Sequence, residues 1–409
     1  MPPVNADRRG RRVGSSSRTN TWLMLAVLDH SRGEDMTARP IGLAVIGCGT
    51  IGRIRALLAR ETMAVEWLGL CDIDEDYAQR LAADTSADFV TTDLHTLLAR
   101  PEVTAVIVAT DENAHVEPIL AAAETGASLF IEKPLATDPV ESARVLEAIE
   151  SHGVDAVVGY TQRFRRRFLT VKQRLRDGQI GDVTSVVTRA FMNRMVPLAT
   201  LEKTQERAQL TPMVVSGTHS LDMCMWLMEG KTPVEVYARS VDTSLRGLGT
   251  KDATFGLFTM DDGTIWSMNI NWALPTVWPG AVYGLEIGIV GTRGVIDIED
   301  THRDVIVATE IPQPAGYTSK GFAPDAPRHV DFIGSYPPGD LSDGLLWGPM
   351  REETLSWYNH LTTGVATPHA TAADGHRNLV LTMAMDSSAR TGESIRLPID
   401  PKDLLEKAS

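Results

Sequence analysis

Between residue 40 and about residue 160, short apolar runs alternate with stretches whose apolar positions recur every three or four residues. The runs IGLAVIG (41–47), VEWLGLCD (65–72), DFVTT (88–92), TAVIVAT (104–110), SLFIEK (128–133) and DAVVGY (155–160) predict strands. GRIRALLARE, EDYAQRLAADT, VEPILAAAETG and DPVESARVLEAIESHG lie between them and predict helices, the last two stopping at Gly126 and Gly153. Strand and helix in alternation are the pattern of a parallel sheet flanked by helices, a doubly wound α/β layer.

After Tyr160 the period changes. TIWSMNINW (264–272) places Trp266, Met268, Ile270 and Trp272 on one face and Ser267, Asn269 and Asn271 on the other, the pattern of a half-buried antiparallel strand. Similar runs are DVTSVVTRAFM, VEVYARSVD, DATFGLFTM, YGLEIGIVG and GVIDIED, with Asp261–Gly263 as a hairpin turn. The second half therefore predicts a mostly antiparallel sheet with helices on one side. Helical periodicity returns at 350–363 and 374–391, after a Pro- and Gly-rich excursion at 311–349. The predicted division is an N-terminal extension (1–38), a Rossmann-type unit (39–160) and a second α/β unit (161–409).

Composition narrows the partners. The chain has 409 residues and a formal net charge of −14, so nucleic acid or an anionic membrane would be repelled over most of the surface and a small molecule is the expected ligand. Three cysteines without CxxC spacing suit a reducing, cytoplasmic setting and predict neither a disulfide framework nor a zinc site. His360, His369 and His376 lack metal-ligand spacing, so no metal is expected. RRGRR (8–12) ahead of WLMLAVL (22–28) has the outline of a twin-arginine export signal, but charged residues close the apolar run. A disordered extension, or a start at Met36, is the expectation, and no run reaches the roughly 20 apolar residues of a membrane span.

Two motifs carry chemistry. GCGTIG (Gly47, Gly49, Thr50, Ile51, Gly52) follows a strand and opens a helix, so its glycines let the backbone approach a pyrophosphate at a helix N-terminus. Asp72 ends the next strand, 20 residues after Gly52, where a carboxylate accepts both ribose hydroxyls; with Asp74, Glu75 and Asp76 beyond it, NAD is favoured over NADP. The second motif is Glu132-Lys133-Pro134 at the carboxyl end of an apolar strand, the side on which such sheets bind ligands. A lysine there can exchange a proton with an oxygen lying over a nicotinamide ring, and a cis peptide at Pro134 would mark a functional turn.

The motifs AVIGCGTIG, AVIVATDENAH, AAAETGASLFIEKPLA, GYTQRF, GTHSLDMCMWL and GTRGVIDIE, in this order, resemble the Gfo/Idh/MocA oxidoreductases. The resemblance implies a Rossmann unit with a second α/β unit whose open sheet builds homodimers or homotetramers, and cyclic polyol, sugar or dihydrodiol substrates. It implies that Lys133 contacts nicotinamide ribose and the reacting hydroxyl, and that His219 takes the hydroxyl proton. Thr110, Asn113, His115, Glu132 and Gln162 fall on its cofactor side, and Arg163 and Trp272 on its substrate side. One departure stands out: where members with a D-x-x-x-H pattern carry an aspartate, this chain has Val215. Asp222, one helical turn after His219, is then the carboxylate available to orient the imidazole, or else a structural carboxylate. Arg163 and Arg165–Arg167 pair with an anionic substrate or form a solvated helix face, and Trp272, Trp278 and Tyr283 are either a sugar platform or core. Three functions remain open at this level: an NAD-dependent dehydrogenase, an NAD-retaining glycoside hydrolase and a noncatalytic NAD-dependent sensor.

Overall fold

Six of the apolar runs form one sheet. The computed structural model describes residues 40–201, 210–279, 282–300, 305–313, 328–333 and 339–408. The 1–38 extension and Tyr283's side chain thus lie outside the described residues, as does much of the 311–349 excursion. In chain order the first half runs β1 (Ile41–Ile46), α1 (Thr50–Ala59), β2 (Val65–Cys71), α2 (Glu75–Thr85), β3 (Phe89–Thr91), α3 (Leu94–Leu98) and β4 (Ala105–Val108). It continues with α4 (Val116–Glu124), β5 (Ser128–Ile131), α5 (Pro139–His152) and β6 (Ala156–Val158). These strands pair in parallel in the order β6-β5-β4-β1-β2-β3. Every residue of β1 and β4 is buried, as central strands covered on both faces must be.

Local chemistry sets the helix ends. Asp74, Asp93 and Asp138 cap α2, α3 and α5 through side-chain carboxylates that accept backbone N–H groups, contacts each worth about 1 kcal/mol. Gly126 (φ 74°) and Gly153 (φ 63°) stop α4 and α5 in the left-handed conformation that favours glycine.

The second half begins with α6 (Arg166–Arg176), β7 (Val183–Asn193), α7 (Met195–Leu201), α8 (Thr218–Leu227), β8 (Pro233–Val241) and β9 (Ala253–Met260). There follow β10 (Ile265–Leu274), β11 (Val282–Gly291), β12 (Gly294–Asp300) and two small hairpins, β13 (Val305–Gln313) with β14 (Arg328–Ile333) and β15 (Asp340–Ser342) with β16 (Leu345–Trp347). The chain closes with α9 (Pro349–Thr363), β17 (Ala370–Thr371), α10 (Ala372–Thr391), β18 (Ile395–Arg396) and α11 (Pro401–Ala408). The second sheet has the order β12-β11-β7-β10-β9-β8-β18 and is antiparallel except where β7 meets β10. β10 alternates as its sequence demands: Trp266, Met268, Ile270 and Trp272 are all 0% exposed, and Ser267, Asn269 and Asn271 are half-buried. The inward face packs with α8 and α10 residues such as Leu221, Met225, Leu381 and Met385 into the largest apolar cluster.

The predicted division at residue 160 is crossed from the far end of the chain. β17 pairs antiparallel with β6 and so joins the first sheet as its edge. Trp357 and Tyr358 of α9 are buried with Leu43, Val45 and Phe130 under that same sheet. A large apolar side chain gains about 1.5–3 kcal/mol by such burial, so residues 349–371 are anchored on the first sheet although they follow the second. No helix among the described residues is long and apolar enough to cross a membrane.

Candidate functional site

The glycine loop runs from the carboxyl end of β1 into α1. Gly47 has φ +92°, and a Cβ on it would lie 2.5 Å from the Ala109 carbonyl oxygen at the end of β4. A Cβ on Gly52 would lie 1.8 Å from the Gly47 carbonyl oxygen, whereas one on Gly49 would meet nothing within 4 Å. Two glycines thus let the loop close on itself, and the third leaves open the side from which a ligand approaches. α1 starts at Gly49 without a side-chain cap and without an acidic residue in its first turn, so its leading N–H groups and dipole suit an anion.

Asp72 is held against this loop. Its Oδ2 accepts the Cys48 N–H at 2.6 Å and its Oδ1 accepts the Asp74 N–H at 2.9 Å. Remaining lone pairs on a half-buried carboxylate are suited to ribose hydroxyls. Burial pushes the Cys48 thiol up to about 12, helped by Asp72 and Cys71, which keeps it protonated beside the phosphate site.

On the neighbouring strand ends, Thr110 Oγ1 and His115 Nδ1 are 2.8 Å apart, and His115 is 1% exposed. Burial, opposed by Glu112 and reinforced by Lys133, lowers the His115 pKa to about 4, so the ring is neutral. His115 Nε2 and Gln162 Oε1 are buried without a hydrogen-bond partner among the described residues. Unpaired buried polar atoms are costly, and these two, His115 close enough to Lys133 to feel its charge, fit a polar ligand such as a nicotinamide dinucleotide. Asn113 is exposed at the same edge.

Lys133 leaves the end of β5 through a cis Lys133–Pro134 peptide. Its Nζ donates to the Val215 carbonyl oxygen at 3.3 Å. Val215 lies in a π-helical turn, Met213–Gly217, that runs directly into α8, the kind of widened turn often found at functional sites. The Val215 side chain faces the opposite way, into an apolar cluster with Leu201, Leu210, Leu245 and Trp272. The position that lacks a carboxylate therefore serves the site with its backbone oxygen.

His219 stands in the first turn of α8. Its ring meets Tyr160 edge-on, with centroids 6.1 Å apart and an interplanar angle of 82°. The Tyr160 hydroxyl is 3.0 Å from Thr218 Oγ1, and burial pushes its phenol up to about 12, so Tyr160 orients His219 without titrating. Burial, with Lys133 nearby, lowers the His219 pKa to about 3. Nδ1 is buried and has no partner among the described residues, so the imidazole is a neutral base with a lone pair or proton to offer.

At four residues the packing weighs against a role in the site. Asp222 does not orient His219: it is 0% exposed, and its carboxylate accepts Arg163 Nε at 2.8 Å, Arg163 Nη2 at 2.6 Å and Asn378 Nδ2 at 2.8 Å. Arg163 is consumed by that bidentate pair, by Asp374 at 3.2 Å and by the His369 carbonyl at 3.3 Å, so it is a buried internal cation, not a substrate clamp. Glu132 turns its carboxylate onto Arg55 instead of a cofactor. Trp272 is 0% exposed, and its Nε1–H donates to Ser216 Oγ at 2.8 Å, bracing the π turn from the core side instead of offering a ring to a sugar.

Sequence reasoning missed Tyr160, Thr218 and Arg55. Arg55 left a trace: on α1 it shares a face with Gly52, Ala56 and Ala59, all buried, so a charge falls on the helix's inward stripe.

Both halves of the chain are similar to known proteins. The family model described as an oxidoreductase family with an NAD-binding Rossmann fold matches residues 41–160, and the GFO/IDH/MocA C-terminal domain matches residues 168–297. Inositol 2-dehydrogenase of Gluconacetobacter diazotrophicus is 35% identical over 197 residues, 47% of this chain; the match spans only 55% of that relative's length. Inositol 2-dehydrogenase 2 of Saccharopolyspora erythraea is 27% identical over 372 residues, covering 89% of this chain and 98% of the relative. Among solved structures, scyllo-inositol dehydrogenase from Lactobacillus casei with bound NAD(H) and scyllo-inositol superposes with a TM-score of 0.70 at 17% identity, over 88% of this chain and 99% of that one.

Proposed function

Because this chain belongs to the Gfo/Idh/MocA oxidoreductase family, we propose that it is an NAD-dependent oxidoreductase that moves a hydride between nicotinamide and a secondary alcohol or ketone of a cyclic polyol, sugar or dihydrodiol. The observation that carries the reading is the meeting of Lys133, fixed on the Val215 carbonyl, with a neutral His219 whose Nδ1 is unpaired. Bound NAD supplies the hydride acceptor.

The chain's own residues do the rest. The uncapped N-terminus of α1 receives the pyrophosphate, and Asp72 receives the adenosine ribose hydroxyls. Asp74, Glu75 and Asp76 beyond Asp72 repel a 2′-phosphate, which favours NAD over NADP. In alcohol oxidation His219 takes the hydroxyl proton at its ring nitrogen, and the Lys133 ammonium stabilises the oxygen as negative charge develops. In the reverse direction the protonated His219 returns the proton to the oxygen while the Lys133 ammonium stabilises its charge. Tyr160 and Thr218 hold the imidazole in place throughout.

The same reading includes self-association. The outer face of the second sheet exposes Val187, Tyr237, Phe255, Leu257 and Val290, each at least 40% accessible. These apolar side chains flank the outward Ser267 and Asn269 of β10, and a sheet face of this mixed kind suits a second copy of the chain, giving a homodimer or homotetramer. The three cysteines are free and buried, which suits a reducing cytoplasm.

The test is nicotinamide absorbance on mixing the protein with NAD or NADP and a panel of inositols, aldoses and cyclic dihydrodiols, with Lys133→Met as control. Steady NADH formation that the variant lacks is expected. Binding of NAD with no net reduction, together with cleavage of chromogenic glycosides, would replace this reading with a hydrolase that retains its cofactor. Binding with neither activity would point to a sensor.

A further inference from the structure

Arg55 is a fully enclosed charge beneath the first sheet, and nothing in the proposed reaction uses it. It is 0% exposed, one turn beyond Gly52 on α1. Nε donates to Glu132 Oε1 at 2.9 Å; Nη2 lies 2.8 Å from the same oxygen and donates to Glu353 Oε2 at 2.6 Å. Nη1 donates to the Met350 carbonyl at 3.3 Å and to Thr354 Oγ1. All five N–H donors of the guanidinium are thereby matched. Its plane also lies over the Phe130 ring, 4.2 Å from the centroid. Glu353 Oε2 in turn accepts the Thr161 hydroxyl at 2.9 Å.

The partners of this guanidinium are not scattered. Glu132 is joined directly to Lys133, Thr161 directly to Gln162, and Arg55 itself sits on the helix whose N-terminus faces the phosphate site. Docking of α9 does not require the charge, because Trp357 and Tyr358 already anchor that helix in the core. Nor is a buried ion cluster a good source of stability, since desolvation offsets most of its attraction; such clusters are better at fixing one geometry.

We infer that Arg55 is a positioning residue that locks three segments, the phosphate-binding helix, the strand end bearing Lys133 and the turn bearing Gln162, into the one register in which cofactor and proton-handling groups line up. The inference rests on the cofactor reading of the site for its functional consequence. Its structural part stands separately.

The experiment compares wild type, Arg55→Lys, and the charge-free triple variant Arg55→Met/Glu132→Gln/Glu353→Gln, which leaves no orphaned ion. Three quantities are read: the melting temperature, NADH affinity by calorimetric titration, and amide hydrogen exchange at residues 47–53 and 159–164 in the nucleotide-free protein. The triple variant is expected to melt within a few degrees of wild type, to bind NADH at least tenfold more weakly and to exchange faster in both segments together. Hydride transfer at saturating NAD should also fall at least tenfold, so that both KM and kcat change. Arg55→Lys, which keeps the charge but cannot span both carboxylates, should lie between the two. Wild-type affinity and wild-type exchange in the triple variant would overturn the inference and reduce the cluster to a docking contact. If the triple variant does not fold, Glu353→Gln alone decides: faster exchange at 159–164 supports the lock, and unchanged exchange overturns it. A wild-type protein that binds no NADH would sink the proposed function, while the exchange data would still judge Arg55.

Discussion

Replacing His219 by Gln tests the electrostatics of the site through stability, independently of substrate. The folded pKa of His219 is lowered to about 3 from an ordinary 6.5, first by burial and then by Lys133. Below pH 6.5 the unfolded chain therefore takes up this proton before the folded one does. The contribution is fully present above about pH 6.5 and is lost as pH falls toward 3. At about 1.36 kcal/mol per unit, the 1.5 units from pH 6.5 to pH 5 correspond to about 2 kcal/mol lost through this one ring. Access of solvent to the half-buried ring makes that an upper figure. His115, lowered to about 4, and His369, lowered to about 3, act in the same direction and window, but their share is common to wild type and variant. Urea unfolding at pH 7 and at pH 5 supplies the difference of differences. His219→Gln should lose about 1–2 kcal/mol less than wild type between the two pH values. Equal losses in the two proteins would mean that His219 is not held neutral by its surroundings, and the general-base role would lose its footing.

Lys133→Met should lower hydride transfer by roughly 10²–10⁴-fold while NAD affinity changes by less than about tenfold; a variant that turns over like wild type in single-turnover absorbance would remove Lys133 from the chemistry. Asp72→Ala deletes two charged hydrogen bonds to the ribose worth about 1.5–3 kcal/mol each, so NAD affinity should fall roughly 10²–10⁴-fold and the preference over NADP should shrink, both read by titration. Gly52→Ala drives a Cβ to 1.8 Å from the Gly47 carbonyl oxygen, so the loop must open; nucleotide binding should be lost more completely than in Gly49→Ala, whose Cβ meets nothing within 4 Å in the nucleotide-free protein. Burial pushes the Glu353 carboxyl up to about 7 despite Arg55 beside it. That stability is full below about pH 4.5 and is lost as pH rises through 7, so Glu353→Gln should flatten the decline between pH 5 and pH 8 by roughly 2–3 kcal/mol in urea titrations.

Period and punctuation in the sequence determined the elements of this protein. The apolar runs became β1 to β6, Gly126 and Gly153 ended their helices, and the two-residue alternation of β10 sorted its tryptophans inward. These features are legible because strand and helix periods, and the glycine demand for positive φ, are properties of the local chain. The positions of the glycine loop, Asp72 and Lys133 were legible for a related reason, since each lies at the end of a predicted strand, whereas His219 was singled out only by the family resemblance. What the sequence left undecided was who partners whom across long separations. Asp222 could orient His219 or serve the core, and only the packing of Arg163 and of α10 above it made it a buried counter-ion. Glu132 belongs to the lysine motif, and the resemblance offered Trp272 as either a sugar platform or core; their partners lie far off, Arg55 being 77 positions from Glu132 and Ser216 56 from Trp272. The replacement of a side-chain carboxylate by the Val215 carbonyl has no sequence signature, since a backbone oxygen is present at every residue and only the π turn presents this one to Lys133. Likewise the return of α9 and β17 to the first sheet followed from where their apolar faces could be buried, a choice among surfaces that exist only once the chain has folded.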